Sequence, residues 1–96
     1  MTDSIPHFID GKASTGRSGR SAPVYNPATG AVSGQVAMAD QADVEAAIAA
    51  AESAFPAWAA TTPLNRARVL FRFKSLLEAH ADEIAQAITL EHGKVL

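Results

Sequence analysis

A chain of 96 residues makes one small domain at most, burying about 60–65% of the surface its unfolded form exposes; 21 of its 46 apolar residues are alanines, so few large side chains drive collapse. A net charge of −2 with acids and bases interspersed excludes a nucleic-acid footprint and an acidic tail. With no apolar N-terminal run, no apolar stretch near membrane-spanning length and no cysteine, a signal peptide, a membrane span, disulfides, thiolate metal sites and cysteine nucleophiles are all excluded, and a reducing cytoplasm is the expected location.

The first third is punctuated by Pro6, Gly11, Gly16, Gly19, Pro23, Pro27, Gly30 and Gly34, with short apolar runs between them. That pattern predicts three strands, over 7–10, 22–26 and 31–37. Asp10-Gly11 is a hairpin-type turn signal, and Asn26-Pro27-Ala28-Thr29-Gly30 supplies a turn start, a preset φ and a residue free to take positive φ. Between the first two strands, residues 14–21 carry Gly16, Gly19, Arg17 and Arg20 among hydroxyls. Such a loop invites a phosphate, yet it lacks the glycine spacing of either common phosphate loop and no helix start follows it, so it reads as a solvated connection.

From residue 40 the period becomes helical. Asp40 is placed to cap with Asp43 at the third helical position, and Val44, Ala47, Ile48, Ala51 and Phe55 share a face until Pro56 disfavours helix at Phe55, predicting a helix over about 41–54. Thr62-Pro63 opens a second helix over 63–80. Asp82 begins a third, over 82–92, with Glu83 near its positive end, His92 and Lys94 near its negative end and Gly93 placed to close it. Along the second helix, Val69, Leu70, Phe73, Leu76 and Leu77 form one core stripe, while Leu64, Ala67 and Phe71 fall on the opposite side. It reads either as a helix built to be covered on two sides, by an element of a longer parent chain, or as one that carries a single exposed aromatic at Phe71.

No residue is nominated as catalytic, cofactor-binding or metal-binding. His7, His80 and His92 lack the spacing that brings two ligands together; Glu78, Asp82, Glu83 and Glu91 are too scattered for a carboxylate pair and suit helix-end roles instead. Trp58 is expected to plug a corner after the Pro56 break. Arg66, inside the apolar stripe, serves either a buried ion pair or a route to solvent.

His7-Phe8-Ile9-Asp10-Gly11-Lys12, Val24-Tyr25-Asn26-Pro27-Ala28-Thr29-Gly30, the alanine-rich helix ending Phe55-Pro56-Ala57-Trp58, Arg66-Ala67 and Glu91-His92-Gly93-Lys94 together resemble the opening of the aldehyde dehydrogenase superfamily. Thr62 to Lys74 and His92 resemble its methylmalonate-semialdehyde branch. The resemblance implies an α/β fold, of which residues 1–96 are the N-terminal portion of a Rossmann-like NAD-binding domain, incomplete and without the catalytic domain. It further implies an NAD-dependent, CoA-acylating parent enzyme: a cysteine attacks the semialdehyde, hydride passes to NAD, and propionyl-CoA or acetyl-CoA forms with loss of carbon dioxide. The nucleophilic cysteine, the downstream glutamate, the oxyanion-stabilising asparagine and the cofactor-binding glycine segment have no counterparts in this sequence. The chain alone is therefore expected to be inactive and to bind neither NAD nor CoA.

The partner expected is the remainder of such a chain, in a homo-oligomer as a full-length protein. Two rivals stand beside that reading. One is a standalone module whose doubly apolar second helix binds a partner, the full-length enzyme among the options; the other is a different aldehyde dehydrogenase branch. A nucleic-acid binder built on Arg66, Arg68, Arg72 and Lys74 is disfavoured, because those four spread round the helix.

Overall fold

A computed structural model describes residues 3–96. The described residues up to Phe55 form one unit and Pro56–Leu96 a second.

In the first unit the elements are β1 (Asp3–Ile5), β2 (His7–Ile9), β3 (Lys12–Ser14), β4 (Ser21–Tyr25), β5 (Val32–Ala37) and most of α1 (Gln41–Ala60). Strand β5 lies at the centre of a three-stranded sheet, parallel to β1 and antiparallel to β4. Its Gly34 is buried, and a Cβ there would stand 2.9 Å from the Asp3 carbonyl oxygen, so the close pairing of β1 requires glycine. Pro23, which has no N–H to give, lies in β4, the edge strand opposite β1. The β4–β5 connection follows its turn chemistry: the Ala28 N–H donates to Asn26 Oδ1 at 2.8 Å, the Gly30 N–H donates to the Asn26 carbonyl at 2.8 Å, and Gly30 takes φ 75°.

Two strands were not among the three expected. β3 pairs antiparallel with β2 through Asp10 and Gly11, whose φ values of 54° and 72° make a two-residue hairpin turn. The turn signal was visible, but Lys12-Ala13-Ser14 carries no apolar alternation to mark the returning strand. β1 likewise exists through its distant partner Gly34–Val36 and has no local pattern of its own.

Helix α1 runs six residues beyond the predicted stop at 54. Pro56 forfeits a bond to the Glu52 carbonyl, yet Ala57, Ala59 and Ala60 are the strongest helix formers and carry the turn onward. The end comes at Thr61, whose N–H reaches the Ala57 and Trp58 carbonyls at 3.1 Å each and whose Oγ1 donates to Ala57 at 2.8 Å. Trp58 therefore lies inside α1, part-exposed, and does not plug a corner after a break.

The second unit holds α2 (Pro63–Ala79) and α3 (Ala81–His92). Thr62 caps α2, its side-chain oxygen accepting from the Asn65 N–H at 3.3 Å, with Pro63 in the first turn. α3 starts one residue before the expected Asp82, with His80 as its cap residue, whose side chain makes no capping hydrogen bond. It closes at Gly93, which takes φ 84° and donates its N–H to Thr89 at 2.9 Å.

Among the described residues no hydrophobic side chain is buried. The stripe Val69, Leu70, Phe73, Leu76 and Leu77 is exposed, and so are Leu64 and Phe71 across the helix. At 100° per residue Lys74 and Glu78 share the Phe71 side, where they form an exposed ion pair. The second apolar side of α2 is thus confined to its first two turns.

Candidate functional site

A polar cluster in the first unit gathers where the 15–20 loop meets the start of α1. Asp40 Oδ1 accepts the Asp43 N–H at 2.8 Å, and Asp43 Oδ2 accepts the Asp40 N–H at 3.0 Å. This reciprocal capping box satisfies donors that a helix start leaves without partners. The same Asp43 oxygen also accepts the Arg17 N–H at 3.1 Å, from 26 residues back in the chain. Only 8% exposed, Asp43 is held below the ordinary carboxylate range by the Asp40 N–H first and the Arg17 N–H second, against an opposing push from burial.

The loop is fastened at further points. Ser18 Oγ donates to the Met38 carbonyl and accepts the Arg20 N–H at 3.0 Å, while Arg20 Nη2 donates to the Ala39 carbonyl at 3.0 Å. Gly16, at φ 75°, passes so near that a Cβ would lie 2.6 Å from Asp43 Oδ2 and 3.1 Å from His7 Cδ2. His7 Nε2 is buried there without a hydrogen-bond partner among the described residues.

These contacts decide what the loop does with anions. A phosphate cradle needs unsatisfied N–H groups, but the chain's own carboxylate already occupies those of Arg17 and Asp40. Those two N–H groups are therefore not free to hold a phosphate.

Beside this cluster runs an apolar groove between the β2–β3 hairpin and α1. One half, about 400 Å³, is lined by Phe8, Ile9, Asp10 and Gly11 facing Ala47, Ala50, Ala51 and Ala54. The other, about 330 Å³, shares Phe8, Ile9 and Ala47 and adds Val44 and Ile48. Phe8 is 77% exposed. The groove offers mainly apolar contact area, with His7 and Asp43 at one end and Asp10 in the turn as its polar lining.

The residues weighed from sequence do not converge. Among the described residues no group of histidines and acids is arranged to hold a metal. His80 Nδ1 lies 3.3 Å from Glu83 Oε1 on the surface, and Glu78 pairs with Lys74. Arg66 is half-buried near the start of α2. No helix among the described residues is long and apolar enough to cross a membrane. Sequence reasoning found the capping role of Asp40 and Asp43 but missed the bond to Arg17, because nothing local marks a partner 26 positions away.

The sequence model of the aldehyde dehydrogenase family matches residues 14–96. The chain belongs to that family. It is 47% identical over 89 residues to the rat (Rattus norvegicus) mitochondrial methylmalonate-semialdehyde/malonate-semialdehyde dehydrogenase [acylating], a match covering 93% of this chain and 17% of the relative. A malonate-semialdehyde dehydrogenase of Pseudomonas aeruginosa is 47% identical over 92 residues, covering 96% of this chain and 18% of that protein.

Two crystal structures superpose closely. A protein assigned as a methylmalonate-semialdehyde dehydrogenase from Sinorhizobium meliloti 1021, complexed with NAD, gives a TM-score of 0.90 at 48% identity, over 96% of this chain and 19% of that one. The methylmalonate-semialdehyde dehydrogenase of Oceanimonas doudoroffii gives 0.87 at 52% identity, over 96% of this chain and 18% of that one. The five strands and three helices match the N-terminal part of the aldehyde dehydrogenase fold, and the chain spans under a fifth of the length of the relatives it matches.

Proposed function

We propose that this aldehyde dehydrogenase chain is the N-terminal part of an NAD-dependent, CoA-acylating enzyme that oxidatively decarboxylates methylmalonate or malonate semialdehyde to propionyl-CoA or acetyl-CoA. Residues 1–96 contribute outer strands and helices to its NAD-binding domain. They contribute no catalytic, cofactor-binding or metal-binding residue, and the segment alone has no activity.

The observation that carries this reading is identity of 47–52% over nearly the whole segment to enzymes of that name. Two features of the segment agree with it. It contains no cysteine, so a thiolate nucleophile has to come from elsewhere in the protein. Among the described residues it also buries no hydrophobic side chain. A domain is built round a packed apolar core, so side chains left open in this way are expected of surface meant for coverage by further chain. NAD and CoA belong to that further chain, which is also the partner of this segment and forms a cytoplasmic homo-oligomer with it.

The test has two arms. The mass of the native gene product should be roughly five times that of this segment, from the 18% coverage of the relatives, and that product should form NADH from malonate or methylmalonate semialdehyde only when CoA is supplied. The purified 96-residue chain should form none. Aldehyde-dependent NADH from the pure chain, or a native product of about 10 kDa, defeats the proposal. A product of that small size that co-purifies stoichiometrically with another protein would instead favour an interaction module acting through Leu64, Leu70 and Phe71 of α2, all exposed.

A further inference from the structure

We infer that the groove between the β2–β3 hairpin and α1 is the seat of an apolar segment belonging to the same polypeptide, from the part of the parent chain beyond residue 96. This rests on the proposed function, because it requires that longer parent. It goes beyond that reading by naming the surface and the chemistry of what fills it.

Three observations converge on the groove. The hairpin consists of two three-residue strands, and an isolated two-stranded hairpin is marginal in water unless it packs against something apolar. Phe8 at its centre is 77% exposed, so within residues 3–55 the hairpin's largest apolar group has not found that partner. Facing it, Val44 and Ile48 of α1 are exposed as well, while Ala47 and Ala51 form a low floor over which a backbone or an inserted side chain can approach closely.

The lining also dictates polarity. Asp43 is the carboxylate at one end, and its Oδ2 is already taken up by the Arg17 and Asp40 N–H groups; His7 Nε2 is buried out of reach. Asp10, in the turn, is the remaining charged group along the lining. Away from that one exposed carboxylate, a charged or strongly polar occupant would lose its hydration without finding a partner. An aliphatic or aromatic segment would remove Phe8, Val44 and Ile48 from water together.

The occupant is taken to be the parent's own chain because of size. The matched relatives are more than five times as long as this segment, and among its described residues the segment buries no hydrophobic side chain of its own. Contact within one polypeptide covers such a surface without the translational entropy that a separate partner loses on association.

The experiment places a photoreactive benzophenone side chain at the hairpin of the full-length gene product, as Phe8→p-benzoylphenylalanine, with Ala28→p-benzoylphenylalanine in the β4–β5 turn as the control. After irradiation, peptide mass spectrometry should find residue 8 joined within one polypeptide to an apolar peptide numbered beyond 96, and residue 28 not joined to that peptide. Cross-links from residue 8 confined to residues 1–96, a covalent dimer through residue 8, or no cross-link in a product that retains wild-type activity would each overturn the inference. The two ideas fail differently. A native product of this segment's size removes the parent and the seat together, whereas a long, active product lacking the cross-link removes only the seat.

Discussion

Gly16→Ala separates a left-handed backbone from a close approach, because the chain carries its own control. Gly11 and Gly16 have φ of 72° and 75°, and an alanine at either position costs about 1–2 kcal/mol for the left-handed conformation alone. At Gly11 nothing lies within 4 Å of the added Cβ, whereas at Gly16 it falls 2.6 Å from Asp43 Oδ2 and 3.1 Å from Asp43 Cγ. The carboxylate has to withdraw, and it holds the Arg17 and Asp40 N–H groups through that same oxygen. The backbone penalty by itself raises local opening about five- to thirtyfold; the displaced carboxylate adds full exposure of two particular amides. Amide hydrogen exchange resolved at residues 15–20 and 40–43 reads the difference. Gly16→Ala should bring Arg17 and Asp40 to the rate of free amides, and Gly11→Ala should speed exchange only in the hairpin. Equal protection of Arg17 in wild type and Gly16→Ala, or equal loss from both substitutions, would refute the reasoning.

Three further outcomes follow from the same geometry. Because the Asp40 and Arg17 N–H groups depress the folded-state pKa of Asp43 below the ordinary 3.8, its stabilisation is present above that ordinary value and is lost as pH falls through the lower folded value. Acid should therefore release the 15–20 loop and the start of α1 below pH 3.8, seen as faster exchange at Arg17, and Asp43→Asn should remove this pH step. Pro56→Ala restores an N–H to the Glu52 carbonyl inside α1 and exchanges the poorest helix former for the best, a difference of up to about 3 kcal/mol; circular dichroism should show more helix and a higher urea midpoint, and an unchanged midpoint would show that the proline is matched to its surroundings. Thr62→Ala should cost about 0.5–1 kcal/mol, at the low end for a cap because the bond to the Asn65 N–H is long at 3.3 Å, while Thr62→Ser should cost less. Equal urea midpoints for the Ala and Ser variants would remove the hydroxyl from the account.

How far the sequence alone could reach depended on the range of the interaction. Asp40 with Asp43, Thr62 with Pro63, and Gly93 were all legible because a helix end is completed within four residues and its chemistry is written there. Asn26 to Gly30 was legible for the same reason. β1 was not, since Asp3–Ile5 is a strand only by virtue of β5 some thirty positions later. Pro56 misled because a local preference was weighed alone, while the alanines beyond it favour propagation strongly enough to carry α1 to Ala60.

The apolar stripe of α2 shows the opposite failure, where periodicity was read correctly and burial did not follow. Periodicity reports which face of a helix is apolar; coverage depends on a second layer. The Lys74–Glu78 pair refines the two-sided reading, since it makes the far face of α2 polar from its third turn onward. Whatever covers that far face has only the two turns from Leu64 to Phe71 to pack against, whereas the main stripe runs on to Leu77. A covering element that crosses α2 near its N-terminus fits this pattern, and one lying parallel along its whole length would trap the ion pair against apolar surface at a desolvation cost. In the full-length product, Phe71→Ala should therefore lower the urea midpoint as burial of a large side chain demands, by about 3 kcal/mol or more, while Lys74→Ala, on a pair whose side chains are 66% exposed, should change it by less than about 0.5 kcal/mol. Comparable losses from the two substitutions would mean that the covering element extends past the third turn and that the crossing arrangement is wrong.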